Sequence, residues 1–316
     1  MSTSTLSSEP IVTGNPEWDQ WEHHFAQVSD DIQLHYVDVG PRDAMPVVLI
    51  HGWPDMCSAP KETEAYGTLN VTSDLAKLLD FLNLPRAVFV GHDWGGAIVW
   101  RMCMYCPDRV LAVCGVCTPY FPQRDVCIDI DTLVKGIPQF SYMQFLSQSE
   151  MAAKVLDAAP RRVFTSTYRF PEEQMRDGKN VWYLEILKGV TDSDDPMYTQ
   201  RSEMLSEQEL EFYVQEYTRS GFRGSCNYYA VRALDFETEK ALPRVIPHRA
   251  LYIGAGKDPV LKPELAAHMP HVMPKLETAL VKEGGHWLLW TQKDEVTEIL
   301  LTWLGKLEQD AEVIAP

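Results

Sequence analysis

The sequence predicts an α/β fold: a largely parallel sheet with helical crossovers, interrupted by one long helical insertion. Three observations predict it. Apolar, β-branched runs alternate with segments of helical periodicity through the first third of the chain. That alternation stops between about Thr118 and Ala241, where helical segments carry no buried β-branched run. It then resumes to the end of the chain.

EHHFAQV, which includes the His23-His24 pair, is the first candidate strand. IQLHYVDVG (32–40) alternates apolar and polar residues and ends at Gly40, as a half-buried strand does. PVVLIHG (46–52) is continuously apolar, the pattern of a strand buried on both faces. VTSDLAKLLDFLNL (71–84) gathers Leu75, Leu78, Leu79 and Leu82 on one helical side, and Pro85 ends it. AVFVGHD (87–93) is another buried strand, WGGAIVWRMCMYC (94–106) a helix and VLAVCGVC (110–117) a strand, which implies right-handed crossovers. Within the insertion, SEQELEFYVQEYTRSG opens on a Ser206-x-x-Glu209 capping box and closes at Gly221. RALYIGA (249–255) and LETALVKEG (276–284) restore the strands, and an amphipathic helix near 294–308 follows. The chain therefore divides into a disordered lead-in (1–18), a first part of the core (19–118), a helical lid (119–241) and a second part of the core (242–316).

Composition narrows the partners. A formal net charge of -17 in 316 residues argues against nucleic acid, which needs clustered Lys and Arg. No apolar run is long enough to span a bilayer. The start, MSTSTLSSEP, has neither the basic region nor the apolar stretch of a secretory signal, so a cytoplasmic protein is expected. Seven cysteines suit a reducing compartment. Two Cys-x-x-Cys pairs, Cys103/Cys106 and Cys114/Cys117, fall on a helix and a strand rather than on loops. They are expected to pack as small hydrophobes and not to bind zinc. The Asn70-Val71-Thr72 sequon is idle without secretion.

The chemical signal centres on Gly91-His92-Asp93-Trp94-Gly95-Gly96, between a strand and a helix. It has the Gly-x-nucleophile-x-Gly form of a nucleophile elbow, with Asp where many hydrolases carry Ser. The helix dipole should favour the carboxylate form. Alone, the motif is equally well read as an Asp N-cap. Downstream, Asp258 follows the LYIGA strand and His286 follows the next one; strand ends of a parallel sheet are where such folds place their sites. His51-Gly52-Trp53-Pro54 follows the PVVLI strand, where one oxyanion-hole N–H is supplied; the other comes from Trp94. The remaining histidines are expected to be structural, and His92 needs no chemical role.

With HGWP, GHDWGG, AGKDPVL and EGGHW in view, the chain resembles the epoxide hydrolase family of α/β-hydrolases from about Trp21 to Leu307. The resemblance implies an α/β-hydrolase core with an inserted lid, and hydrolysis of an epoxide to a vicinal diol. Asp93 would form an alkyl ester, and His286, oriented by Asp258, would activate water. The Trp53 and Trp94 N–H groups would hold the oxyanion. Two lid tyrosines would hydrogen-bond the epoxide oxygen: Tyr142 in IPQFSYMQF and Tyr229 in SGFRGSCNYYA, with the adjacent Tyr228 as the rival to the second. No metal or organic cofactor is implied. The partners expected are a small-molecule epoxide and at most a second copy of the chain.

The sequence departs from the family in one large respect. A helix–strand segment between residues 57 and 70 is missing, and DMCSAPKETEAYGTLN joins its flanks directly. The absent strand would lie between 32–40 and 46–52, leaving both without a neighbour unless 32–40 slides across to pair with 46–52. Ala230 stands where the family often has Arg. Two rival readings follow. One is a haloalkane or haloacid dehalogenase using the same Asp, His and Asp, against which the two tyrosines argue. The other is an inactive product with an incomplete core.

Overall fold

The computed structural model describes residues 15, 18–55, 60, 62–176, 179–180 and 194–310. The lead-in expected over residues 1–18 therefore lies almost wholly outside the described residues.

A five-stranded, all-parallel sheet forms the core. Its strands are β3 (Val47–Ile50), β4 (Ala87–His92), β5 (Val110–Val116), β8 (Arg249–Ala255) and β9 (Leu276–Val281), side by side in that order. β4 is buried at every position, which is why its sequence carries no polar alternation. Successive side chains feed two apolar clusters: Val88, Val90 and Cys114 go to one, Ala87, Phe89 and Val113 to the other. Helices α1 (Thr68–Phe81) and α2 (Trp94–Tyr105) supply the crossovers. α1 begins three residues before the sequence suggests, and it ends beside Asn83, whose φ is 56°.

Between β5 and β8 the chain is mainly helical. α3 (Ile130–Gly136), α4 (Met143–Leu146), α5 (Ser149–Asp157) and α6 (Pro160–Thr167) precede a two-residue ribbon, β6 (Met175–Arg176) with β7 (Lys179–Asn180), too short for any sequence signal. Then come α7 (Pro196–Thr199), α8 (Glu207–Ser220), α9 (Arg223–Ala230) and α10 (Arg232–Glu239). The capping box of α8 is formed on both sides, and its C-cap Gly221 has φ 72°. After β8 follow α11 (Met269–Val272), α12 (Leu288–Thr291) and α13 (Lys293–Leu307).

The first two strands differ from expectation. β1 (His23–Gln27) and β2 (Gln33–Val37) pair with each other, antiparallel, in a ribbon separate from the main sheet. β2 does not slide across to β3. β3 is thus an outer strand with a partner on one side only, and Leu49 is 73% exposed. The reading of 46–52 as a strand buried on both faces is corrected: its apolar composition holds, but the β3 positions are half-buried or exposed, and among the described residues β3 pairs with β4 alone. Ala26 and Val28 of the ribbon pack instead on Leu78 of α1.

Candidate active site

The sharp turn from β4 into α2 is centred on Asp93, whose φ of 52° is unusual for a residue with a side chain. Glycine is demanded around it. A Cβ on Gly91 would meet the Gly95 carbonyl oxygen at 2.2 Å, and one on Gly95 would meet that of Ile50 at 2.1 Å. Asp93 occupies the N-cap position of α2 but makes no side-chain capping bond there. Its Oδ1 instead accepts from the Trp53 backbone N–H at 2.8 Å, and the Trp94 backbone N–H also donates to the carboxylate. The two amides singled out in the sequence therefore converge on the side chain singled out as nucleophile. Thr118 fixes the turn from outside, its hydroxyl donating to the Asp93 carbonyl at 2.7 Å.

Asp258 and His286 come from the ends of β8 and β9. His286 Nδ1 lies 2.7 Å from Asp258 Oδ2, and the other Asp258 oxygen accepts from the Val260 and Leu261 N–H groups at 2.8 and 2.9 Å. His286 Nε2 faces Asp93 Oδ2 at 3.6 Å. Burial works against the charge on Asp258, but His286 and the two amides outweigh it and hold the carboxyl below its usual range. Burial also works against the His286 cation, yet Asp258 and Asp93 raise its pKa to about 9. Asp93 is pushed up by burial, opposed by His286 and the Trp53 and Trp94 amides. His286 and the two neighbouring amides favour the carboxylate, and burial opposes them.

The lid places two phenols over this centre. Tyr142 and Tyr229 are both buried and meet edge to face at 5.8 Å. Tyr229 also packs edge-on against Trp94 at 5.1 Å and Trp53 at 6.0 Å. Burial, with the Asp93 charge adding to it, pushes both phenols well above the ordinary tyrosine value, so both keep their protons at neutral pH. Tyr228 turns away, with its ring edge-on to Tyr66 at 5.0 Å and tilted against Trp94 at 5.7 Å. It lines a cavity of about 30 Å³ behind the elbow, with His51, Asp55 and Ser225.

Three contributors escaped sequence reasoning. His92 Nε2 lies 2.8 Å from the His286 carbonyl oxygen, so it carries the proton and donates. Burial, with His286 adding to it, lowers the pKa of His92 to about 3. The Cys117 thiol reaches the same carbonyl at 3.5 Å. Asp55 joins the HGWP loop to the lid: the Tyr168 hydroxyl donates to its Oδ1 at 2.7 Å, with that of Tyr213 at 3.4 Å. An Asp right after HGWP and a cluster of lid tyrosines were the available signal, but only the folded chain brings them together.

His92, Cys117 and His286 offer ligand atoms within 4.8 Å of one another, a spacing a metal could bridge. One nitrogen of each histidine is engaged, His286 Nδ1 by Asp258 and His92 Nε2 by a carbonyl. The paired cysteines do not converge: Cys103 and Cys114 belong to clusters on opposite faces of the sheet.

A strained acidic elbow at the carboxyl edge of a parallel sheet, with an acid and a histidine from later strands, defines a hydrolase of the α/β type. The family model described as alpha/beta hydrolase fold matches residues 54–293, and the chain belongs to that family. Within it, the model described as epoxide hydrolase N terminus matches residues 15–58. Curated relatives carry the same description. The rat protein named bifunctional epoxide hydrolase 2 is 30% identical over 313 residues, 89% of this chain and 55% of the relative. Epoxide hydrolase A of Mycobacterium tuberculosis is 27% identical over 315 residues, 89% of this chain and 96% of the relative. The chain spans little more than half the length of the mammalian relatives it matches. The crystal structure of epoxide hydrolase A from Mycobacterium thermoresistibile superposes with a TM-score of 0.75 at 24% identity, over 90% of this chain and 98% of that one. Among the described residues, no helix is long and apolar enough to cross a membrane.

Proposed function

We propose that this protein adds water to an epoxide, giving a vicinal diol through an alkyl ester on Asp93. One observation carries the reading. A carboxylate stands at the elbow, Oδ1 accepting from the Trp53 amide with the Trp94 amide also donating to the carboxyl, and its surroundings include two un-ionised phenols. The relatives' names supply the substrate class.

The chemistry follows from those positions. The phenols donate to the epoxide oxygen and one yields its proton as Asp93 attacks carbon, because the ring oxygen leaves poorly as an alkoxide. Forming the ester removes the Asp93 charge from beside His286. One of the carboxylates that raise the His286 pKa is thereby lost, so the imidazole gives up its proton more readily. That is the step at which a neutral base is needed to activate water. The Trp53 and Trp94 amides then hold the oxyanion as the ester breaks. Asp258, His286 and Asp93 act as a triad in this reading, and no step calls for a cofactor. A dehalogenase would use the same three residues with halide-binding groups in place of the tyrosine pair. The setting proposed is cytoplasmic, in keeping with six free cysteines among the described residues, with an epoxide as partner and at most a second copy of the chain.

A single turnover of styrene oxide in oxygen-18 water tests this. The label should enter Asp93 first and the diol only in later turnovers. Asp93→Ala should abolish turnover, and His286→Gln should accumulate an adduct visible by intact mass. Direct appearance of the label in the first diol would overturn the covalent route.

A further inference from the structure

Where the lid returns to the core, α10 meets the start of α1 through a half-buried polar cluster that the proposed chemistry does not use. The N-cap of α1 is Gly67, which has no side chain to satisfy the first amides. Asp235 does it from across the molecule: its Oδ1 accepts from the Thr68 N–H at 2.7 Å and lies 3.0 Å from the Thr68 hydroxyl. Glu239, one turn further along α10, has Oε1 2.9 Å from that same hydroxyl. Arg101 of α2 donates to Glu239 through Nε and Nη2 at 2.9 and 3.0 Å. Tyr105 of α2 donates to Thr238 at 2.9 Å.

The donors do not balance. One hydroxyl hydrogen cannot serve two carboxylate oxygens, and the single guanidinium of Arg101 is taken by Glu239. Asp235 faces Thr68 from α1, Arg101 and Tyr105 from α2, and Glu239 and Arg232 on its own helix. Arg232 spends its Nε on the Ile128 carbonyl. A proton on the carboxylate pair supplies the missing donor and removes the repulsion. We propose that this cluster is a proton-operated clamp, which fastens the end of the lid to α1 and α2 when Asp235 is protonated and slackens when it is not.

Burial, with the Glu239 charge adding to it, raises the Asp235 pKa from 3.8 to about 6 against the pull of the Thr68 bonds. A carboxyl raised in the closed state binds its proton more tightly there than in the open state. Clamp stability is therefore full below the ordinary value, falls as pH rises toward about 6, and stays low above it. Tyr229 sits on α9, immediately before α10, so the clamp also governs how firmly that phenol is held. This last consequence rests on the reading of Tyr229 as an acid.

Asp235→Asn keeps the acceptor oxygen and supplies the absent N–H. The test is amide hydrogen exchange of residues 68–72 and 232–239, corrected for intrinsic rates, at pH 5 and pH 7.5 in the wild type and Asp235→Asn. The wild type should exchange about tenfold faster at pH 7.5 than at pH 5, the equivalent of the one pKa unit that separates pH 5 from about 6, whereas the variant should show no such change and should exchange more slowly than the wild type at pH 7.5. Equal exchange at both pH values, or faster exchange in the variant at pH 7.5, would overturn the clamp. Because exchange needs no substrate, failure to open epoxides would count against the role of Asp93 and leave this result standing.

Discussion

Asp93 has two oxygens in different surroundings. Oδ1 accepts from the Trp53 amide, while Oδ2 looks toward His286. The residues that define this arrangement were legible because each lies in a short motif at a strand end. Tyr142 and Tyr229 were legible only through family resemblance, since thirteen tyrosines give no spacing signal. The expected effect of removing them follows from their shared position. Tyr142→Phe or Tyr229→Phe alone should leave measurable turnover, because the other phenol remains, whereas the double variant should lose about 10²–10⁴-fold in kcat. Tyr228→Phe should be near silent, since that ring faces Tyr66 and Trp94. Steady-state kinetics on an aryl epoxide check all four. A damaging Tyr228→Phe with a silent Tyr229→Phe would reverse the assignment.

At the level of elements, strands buried on both sides and well-punctuated helices were read from local pattern. β4, β5 and β8 carry uninterrupted apolar runs, and α8 carries its own start and stop. Ser206→Ala should remove one half of a closed capping box and cost about 1 kcal/mol, seen as a Tm lowered by about 2–4 °C with kcat unchanged. What local pattern did not carry was which neighbours an element lacks. The apolar run of β3 looks like a central strand, and only its place in the sheet makes it an edge. The start of α1 was missed for a related reason. Its cap comes from Asp235, far along the chain, rather than from a residue beside it.

For the whole molecule, the family resemblance implies a helix and a strand between the β1–β2 ribbon and β3. We propose that the chain has lost that segment. The alignment with the mouse relative runs over 327 residues, more than the 316 of this chain, so that relative holds residues with no counterpart here. Each buried apolar side chain contributes about 1.5–3 kcal/mol, against a total stability of about 5–15 kcal/mol. A version with the segment restored should therefore melt at a clearly higher temperature and turn over epoxide faster. Equal Tm and turnover in the two forms would show that the loss is harmless. The bare edge has a consequence of a different kind. Among the described residues Val47–Ile50 has a strand partner on one side only and carries an exposed Leu49, and such a strand is a template for any other strand that meets it. Encounters between copies scale with their number, so the shelf life of a solution of this protein should shorten steeply with concentration, well below its melting temperature.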